Sequence, residues 1–478
     1  MILELVGSRV LAPWVGTSLV VWTSLIGIIL ASLSIGYYYG GVLADQSPSI
    51  KTYAHVIFVA GICIAVTALF KQGVFEIVAA LTNDTRVIAV VVVSILFAPA
   101  SILLGAITPY AAKLTLHEMK HVGTTVGRLY ALSTVGSIVG TFSAGFVLIA
   151  FLGSTTILFI LSLVLIVTAV FVYPRKRLGT DVAIVALIMF SLFAGMNASH
   201  AARRAGTIEQ ETSYQHVKIY TTALSDGRQI RALRTDHFTF SSAEYLDSDE
   251  LVFDVLKMFH LITVIRPDMT RALMIGGGAY SYPMSFLKEF PSAIMDVVEI
   301  DPQLTSLARQ YFHLVDDSRL HIIHEDGRVF LNHADTTLPY NVIFIDAFHS
   351  LTPPYQLTTR EAAEKMYGML DDHGAVLINI VGSVEGDKGQ FLRAEYATFS
   401  AVFPHVYVFP VTQPTNGTVV QNLLLVALKD KQPLVETSSD VQLQTYLKQR
   451  WLKNIPIDKP ILTDDYAPVD QYFLSLYQ

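Results

Sequence analysis

The chain of 478 residues has 33 Lys+Arg against 40 Asp+Glu, a net charge of −7, and 15% charged against 52% hydrophobic residues. That charged share falls well below the roughly 25% of soluble domains, and the acidic balance without a basic cluster excludes nucleic acid as a partner. The single cysteine, Cys63, excludes disulfides and cysteine-based metal sites, so no metal is expected.

The charge deficit is local. Val15 to about Ala198 is mostly apolar, and from Arg203 onward the sequence reads as soluble. The start, MILELVG, carries an acid and no basic n-region, so a cleaved signal peptide is not expected. Residues up to Leu11 read as the tail of a shortened helix. Six segments are apolar enough to span about 30 Å of hydrocarbon, which takes about 20 residues. They lie near Val15–Tyr38, Tyr53–Phe70, Val87–Tyr110, Thr125–Phe151, Thr155–Tyr173 and Val182–Ala198. The fourth, GRLYALSTVGSIVGTFSAGF, repeats small residues at a spacing that lets helices approach closely. Ionisable residues are almost absent mid-helix, which favours a packed bundle over a transport path. His117 and His121 share a helical spacing, but a loop between spans favours solvated histidines over a ligand pair.

Lys51, Lys113, Lys120, Arg128, Arg175, Lys176 and Arg177 fall on one face, and Arg9, Lys71 and Arg86 on the other. The first face is expected to be cytoplasmic. If Val182–Ala198 crosses, the soluble half emerges on the far side; if it is interfacial or re-entrant, it does not. The sequence leaves that side open.

In the soluble half, SYQHVKIYTTAL alternates apolar and polar positions and DGR turns into IRALRTD, a hairpin pattern. From Arg271 strands and helices alternate: ALMIGG, SYPMSFLKEF, IMDVVEID, PQLTSLARQYF, RLHIIHED, GRVFLNHA, YNVIFIDAF, TTREAAEKMYGML, GAVLINIV. Such alternation predicts a parallel, doubly wound sheet with ligands at the carboxyl ends of its strands. The first end carries Gly276, Gly277 and Gly278, a turn that lets a ligand reach backbone and a helix N-terminus. Ser281 replaces the third glycine of G-x-G-x-x-G, so this motif alone is weak. Glu299 follows about 20 residues on, where an acid meets ribose hydroxyls. Asp326-Gly327 and Asp346 end the next two strands. One such acid is as readily a helix cap; three beside a glycine turn point to a nucleoside site. FLRAEYATFSAVFPHVYVFPV and VVQNLLLVAL read as a helix and strands that complete the sheet with antiparallel edges. LTDDYAPVD puts two acids before a proline turn, either a cap or a site-lining loop.

YQHV, MIGGG, VVEIDP, EDGRVFL, YNVIFIDAF and the LTT run resemble the spermidine synthase family over about Glu211–Val384. ELVGSRVLAP, GYYYGGVLAD, GRLYALSTVGSIVGTF and LTDDYAPVD resemble bacterial membrane proteins that fuse such a domain behind a helical bundle. GGVLAD also resembles a loop motif of major-facilitator transporters, and reads equally as a glycine turn capped by Asp45. The resemblance implies an all-α transmembrane bundle followed by a small β-hairpin subdomain and an α/β Rossmann-like domain of class I methyltransferase/spermidine synthase type. The expected boundaries are 1–200, 207–265 and 266–478. Gln215, Gly276, Gly277, Gly278, Glu299, Asp326 and Gly327 would hold decarboxylated S-adenosylmethionine, or S-adenosylmethionine, and Asp346 would take the acceptor's proton. The family's GGGDGG becomes GGGAYS, with Ala279 for the acid; DSSDP becomes DAFHS, with His349; Y-H-E-M becomes FDVL, Phe253–Leu256. Acids that would clamp ammonium groups are therefore absent. Tyr280, His349, Asp464 and Asp465 are the candidate acceptor-side residues, with Asp254 a further acid, and Tyr280 and Tyr282 either line a pocket or pack the helix start. Three functions stay open: aminopropyl transfer to an amine, methyl transfer to another acceptor, or a transporter or sensor with a non-catalytic nucleoside domain. The lipid bilayer and a small acceptor are the expected partners, and a homodimer is left open.

Overall fold

The computed structural model describes residues 1–15, 19–82, 84–115, 122–173, 206–235, 239–334, 337–347 and 353–476. The expected span Val182–Ala198, the basic residues Lys120, Arg175, Lys176 and Arg177, and His117, His121 and His349 lie outside them. The chain divides into two compact units, Met1–His216 and Val217–Gln478.

The first unit is helical. Ile2–Val15 is a helix, as the apolar start anticipated, and it continues past Leu11. Among the described residues four helices are long and apolar enough to cross a membrane: Val20–Gln46, Ile50–Leu81, Gly123–Leu148 and Ser154–Val172. Thr85–Leu96 and Ala98–Thr115 pass that test together, with a 50° bend between them. The third segment, expected as one span, is thus broken at Phe97. Pro99 explains the break: it has no amide hydrogen and its ring crowds the preceding turn. Ser49 and Asp84 cap two helix starts by accepting from the Lys51 and Arg86 amides. A core of Leu25, Ile64, Val92, Phe97, Ile157 and Leu158 holds the bundle.

Two expectations for this unit need correction. GGVLAD is no glycine turn: it is helical, within Leu19–Gln46, and Asp45 pairs with Lys113 at 2.7 Å. The closest backbone approach is also not at GRLYALSTVGSIVGTFSAGF: among the described residues its Gly127, Gly136 and Gly145 have no neighbour within 4 Å, and its Gly140 meets the Ile2 side chain at 3.1 Å. It lies instead between Leu19–Gln46 and Ala98–Thr115, where a Cβ on Gly105 would meet the Leu33 carbonyl oxygen at 2.6 Å. Small residues permit close packing only where a second helix faces them, and periodicity does not name that helix.

The chain returns through β1 (Ile208–Glu211). The Glu211 carboxylate accepts from the Ser154 amide at 2.7 Å and the Ser154 hydroxyl at 3.0 Å, and Lys71 Nζ reaches the same hydroxyl at 3.2 Å. An acid is well placed at this helix N-terminus. Glu211 thus stands at the end of the bundle where Ser154–Val172 begins, remote from the Lys113–Asp45 pair.

In the second unit β2 (His216–Ala223), β3 (Gln229–Thr235) and β4 (Thr239–Tyr245) pair antiparallel in that order. The large sheet contains β5 (Arg271–Ile275), β6 (Ile294–Val298), β7 (Leu320–Ile323), β8 (Tyr340–Ile345), β9 (Leu370–Gly382), β10 (His405–Pro410) and β11 (Gln421–Leu428). Its order is β10-β11-β9-β8-β5-β6-β7, parallel from β7 to β9 and antiparallel across β11 and β10. Every residue of β8 is buried, as a central parallel strand covered on both faces requires. The small sheet of the expected β subdomain, 207–265, is distinct from the large one, and from Val217 on it falls in the same compact unit. Polar contacts tie it in, with Arg231 donating to the Tyr311 carbonyl at 2.5 Å and the His313 amide to Glu244 at 3.2 Å.

Candidate active site

The parallel order brings the tips of β8, β5, β6 and β7 side by side, and β5 is where the chain's winding reverses, from β6–β7 on one side to β8–β9 on the other. Crevices at such points take ligands. Backbone bonds fix the tips in register: Gly276 N donates to Val298 O at 2.9 Å, Asp346 N to Ile275 O at 3.0 Å and Glu299 N to Ile323 O at 3.0 Å. The expected glycine turn and acids therefore line one edge of one sheet.

Gly276 has a φ of +95°, and a Cβ there would lie 2.5 Å from the Asp346 carbonyl oxygen. Only glycine fits, for both conformation and space. The Glu299 carboxylate accepts from the Gly277 amide at 2.8 Å, the Gly278 amide at 3.4 Å and the Asp301 amide at 2.9 Å. Burial raises its pKa, and these three amides oppose the rise. Asp326 caps the helix Gly327–His333, accepting from the Arg328 and Val329 amides at 2.9 and 3.1 Å through Oδ1. Among the described residues its Oδ2 meets Gln356 Nε2 alone, at 3.5 Å.

Asp346 accepts from Asn379 Nδ2 at 2.8 Å, and Asn379 Oδ1 accepts from Asn422 Nδ2 at 2.9 Å. Desolvation raises the Asp346 pKa and the Asn379 amide opposes it. The carboxylate thus combines the raised basicity a proton acceptor needs with a fixed orientation. Neither asparagine was anticipated. The signal was available: in GAVLINIV one polar side chain interrupts an apolar strand.

The acceptor-side expectations fare differently. Tyr280 is fully buried, adopts the left-handed conformation with φ of 62°, and its hydroxyl meets Thr305 Oγ1 at 2.7 Å. It packs the sheet rather than lining a pocket. Tyr282 is likewise buried, among Phe259, Phe286 and Phe344. Ala279 is buried too, its amide donating to Ser242 Oγ at 3.0 Å. Asp464 is committed to Arg328, at 2.5 and 2.9 Å, and Asp254 to Lys257 at 2.9 Å, so neither carboxylate is unpaired. Asp465 is exposed. Gln215 belongs to the first compact unit; it is buried, and its Oε1 has no partner among the described residues.

A glycine turn after β5 thus stands beside acids that follow β6, β7 and β8 in one α/β domain. Residues 256–438 match the spermine/spermidine synthase domain. The chain is 25% identical over 242 residues to a polyamine aminopropyltransferase of Vibrio vulnificus, spanning 50% of this chain and 79% of that one. It is 27% identical over 210 residues to one of Streptococcus uberis, spanning 43% and 70%. A probable spermidine synthase structure from Corynebacterium glutamicum aligns at a TM-score of 0.43 and 22% identity, over 51% and 86%. A spermidine synthase from Thermotoga maritima aligns at 0.38 and 22%, over 48% and 74%. Residues 256–438 are thus similar to a spermine/spermidine synthase domain, and the helical bundle lies outside the matched residues.

Proposed function

We propose that the chain is a membrane-embedded transferase that moves an aminopropyl group from decarboxylated S-adenosylmethionine to a small amine, with Asp346 as the base. The observation that carries this reading is Asp346 itself, basic through burial and oriented by Asn379, one strand from the glycine turn. Glu299 is assigned to the ribose hydroxyls, Asp326 to the adenine amine, and Gln215 to the nucleoside. The amine nitrogen attacks the carbon beside the sulfonium. The carbon–sulfur bond breaks, its electron pair stays on sulfur as a neutral thioether, and the nitrogen's proton passes to Asp346. A sulfonium is a good leaving group, so alignment supplies most of the rate.

Calorimetry on the full chain in detergent tests the reading, comparing decarboxylated with intact S-adenosylmethionine. Tighter binding of the decarboxylated donor is expected. Preference for the carboxylate-bearing donor would transfer the site to methyl chemistry, a reading that Ala279 favours because no acid stands there for the donor's ammonium.

A further inference from the structure

The LTDDYAPVD segment carries a role beyond this reading, though it rests on it. Asp464 is exposed, yet both its carboxylate and its amide are engaged. Its carboxylate accepts from Arg328 Nη1 at 2.9 Å and Nη2 at 2.5 Å and from Thr359 Oγ1 at 2.7 Å, while its amide donates to Glu361 at 3.0 Å. Burial pulls its pKa upward, but Thr359 and Arg328 outweigh that and hold it below the usual carboxylate range. Next to it, the Leu462 carbonyl accepts from the Arg360 amide at 2.8 Å, and the Leu462 amide donates to Thr398 at 2.9 Å. The segment is therefore fastened at the acid and two residues before it.

What it fastens is the nucleoside wall. Arg328 is the residue after Gly327, and its amide caps onto Asp326. Its guanidinium also donates to the Gln356 carbonyl at 2.9 Å and to Thr359 Oγ1 at 3.0 Å. Gln356 in turn sets its side-chain amide 3.5 Å from Asp326 Oδ2. One planar guanidinium thus joins three chain segments, with a geometry that a lysine's point charge cannot reproduce. Bidentate guanidinium–carboxylate pairs hold orientation as well as charge.

We propose that Asp464 is a positioning residue for the nucleoside: through Arg328 it holds Gln356 against Asp326, so that adenine meets a preformed wall. Its carboxylate is consumed in this task and does not serve the acceptor's ammonium. Loosening the pair costs donor affinity, because binding must then order the wall.

The test is calorimetric binding of 5′-methylthioadenosine, the thioether product, to the full chain in detergent, beside steady-state kinetics. Asp464→Asn and Arg328→Lys should each weaken the nucleoside about tenfold and raise donor KM alike, with kcat within about twofold. The double variant should be no weaker than either single one, as partners in one pair require. Melting curves confirm folding, and should the singles unfold, Thr359→Val, which removes the hydroxyl shared by Arg328 and Asp464, is the second probe with the same expected direction. If Asp464→Asn leaves the nucleoside untouched and raises acceptor KM, the positioning role is overturned and the acceptor role restored. Additive losses in the double variant also overturn it. Wild-type protein that binds no adenine nucleoside removes the functional reading and this role with it.

Discussion

The two sides of the candidate site are built on different principles. On the β5–β6–β7 side, backbone does the positioning: glycine amides meet Glu299, and helix amides meet Asp326. On the β8–β9–β11 side, side chains do it, through the line Asp346, Asn379, Asn422. Backbone positions are set by strand register and tolerate few substitutions, whereas an amide line is replaceable one residue at a time. The acids that the resemblance would place near ammonium groups are missing on both sides, at Ala279 after the β5 turn and in the DAFHS run after β8.

Substitutions in each half sharpen that contrast. Glu299→Gln removes a charged acceptor that keeps several hydrogen bonds; donor KM should rise roughly 10- to 100-fold with kcat little changed, the scale of bonds to charged groups. Asn379→Ala should instead lower kcat roughly tenfold, the value of a buried hydrogen bond to a charged group, with donor binding unaffected. Because Asn379 stabilises ionised Asp346, its loss should also move the acidic limb of the rate profile to higher pH. That limb already lies above the ordinary aspartate range, since burial raises Asp346. Equal effects of both substitutions on donor KM would erase the distinction between the halves.

The smallest expected effect is on stability. Glu395 is fully buried, and neither of its oxygens has a hydrogen-bond partner among the described residues. Burial pushes its pKa well above the carboxylate range. The folded state then holds a proton that the unfolded state releases. Its contribution is intact below the ordinary glutamate range and is lost as pH climbs toward the raised value. Glu395→Gln should flatten that decline in melting temperature; an unchanged slope between pH 4 and 8 would show that Glu395 is not its source.

Much of this was legible in the sequence because local pattern and global fold agree. Apolar runs bounded by Gly and Asp marked β5, β6, β7 and β8, and acids just past their ends could only gather on one edge. The roles of Tyr280 and Asp464 were not legible. Tyr280 sits at a turn that looks open in one dimension, yet its side chain is drawn inward to Thr305 on the neighbouring helix. Asp464 meets Arg328 across 136 residues, and no local rule announces such a pair. The small-residue stripe misled for the same reason: spacing shows that a helix could pack closely, and the glycine at 105 shows where one does.

Asp346 carries the central claim, and a single-turnover assay reaches it most directly. Full-length protein in detergent would be mixed with decarboxylated S-adenosylmethionine labelled in its aminopropyl carbon and an excess of small diamine. The account predicts that label appears in a lengthened amine with one equivalent of methylthioadenosine, and that Asp346→Asn slows this by roughly 10²- to 10⁴-fold, the range of a lost general base. Transfer at an undiminished rate in Asp346→Asn, or nucleoside binding with no transfer by the wild type to any amine offered, would contradict it.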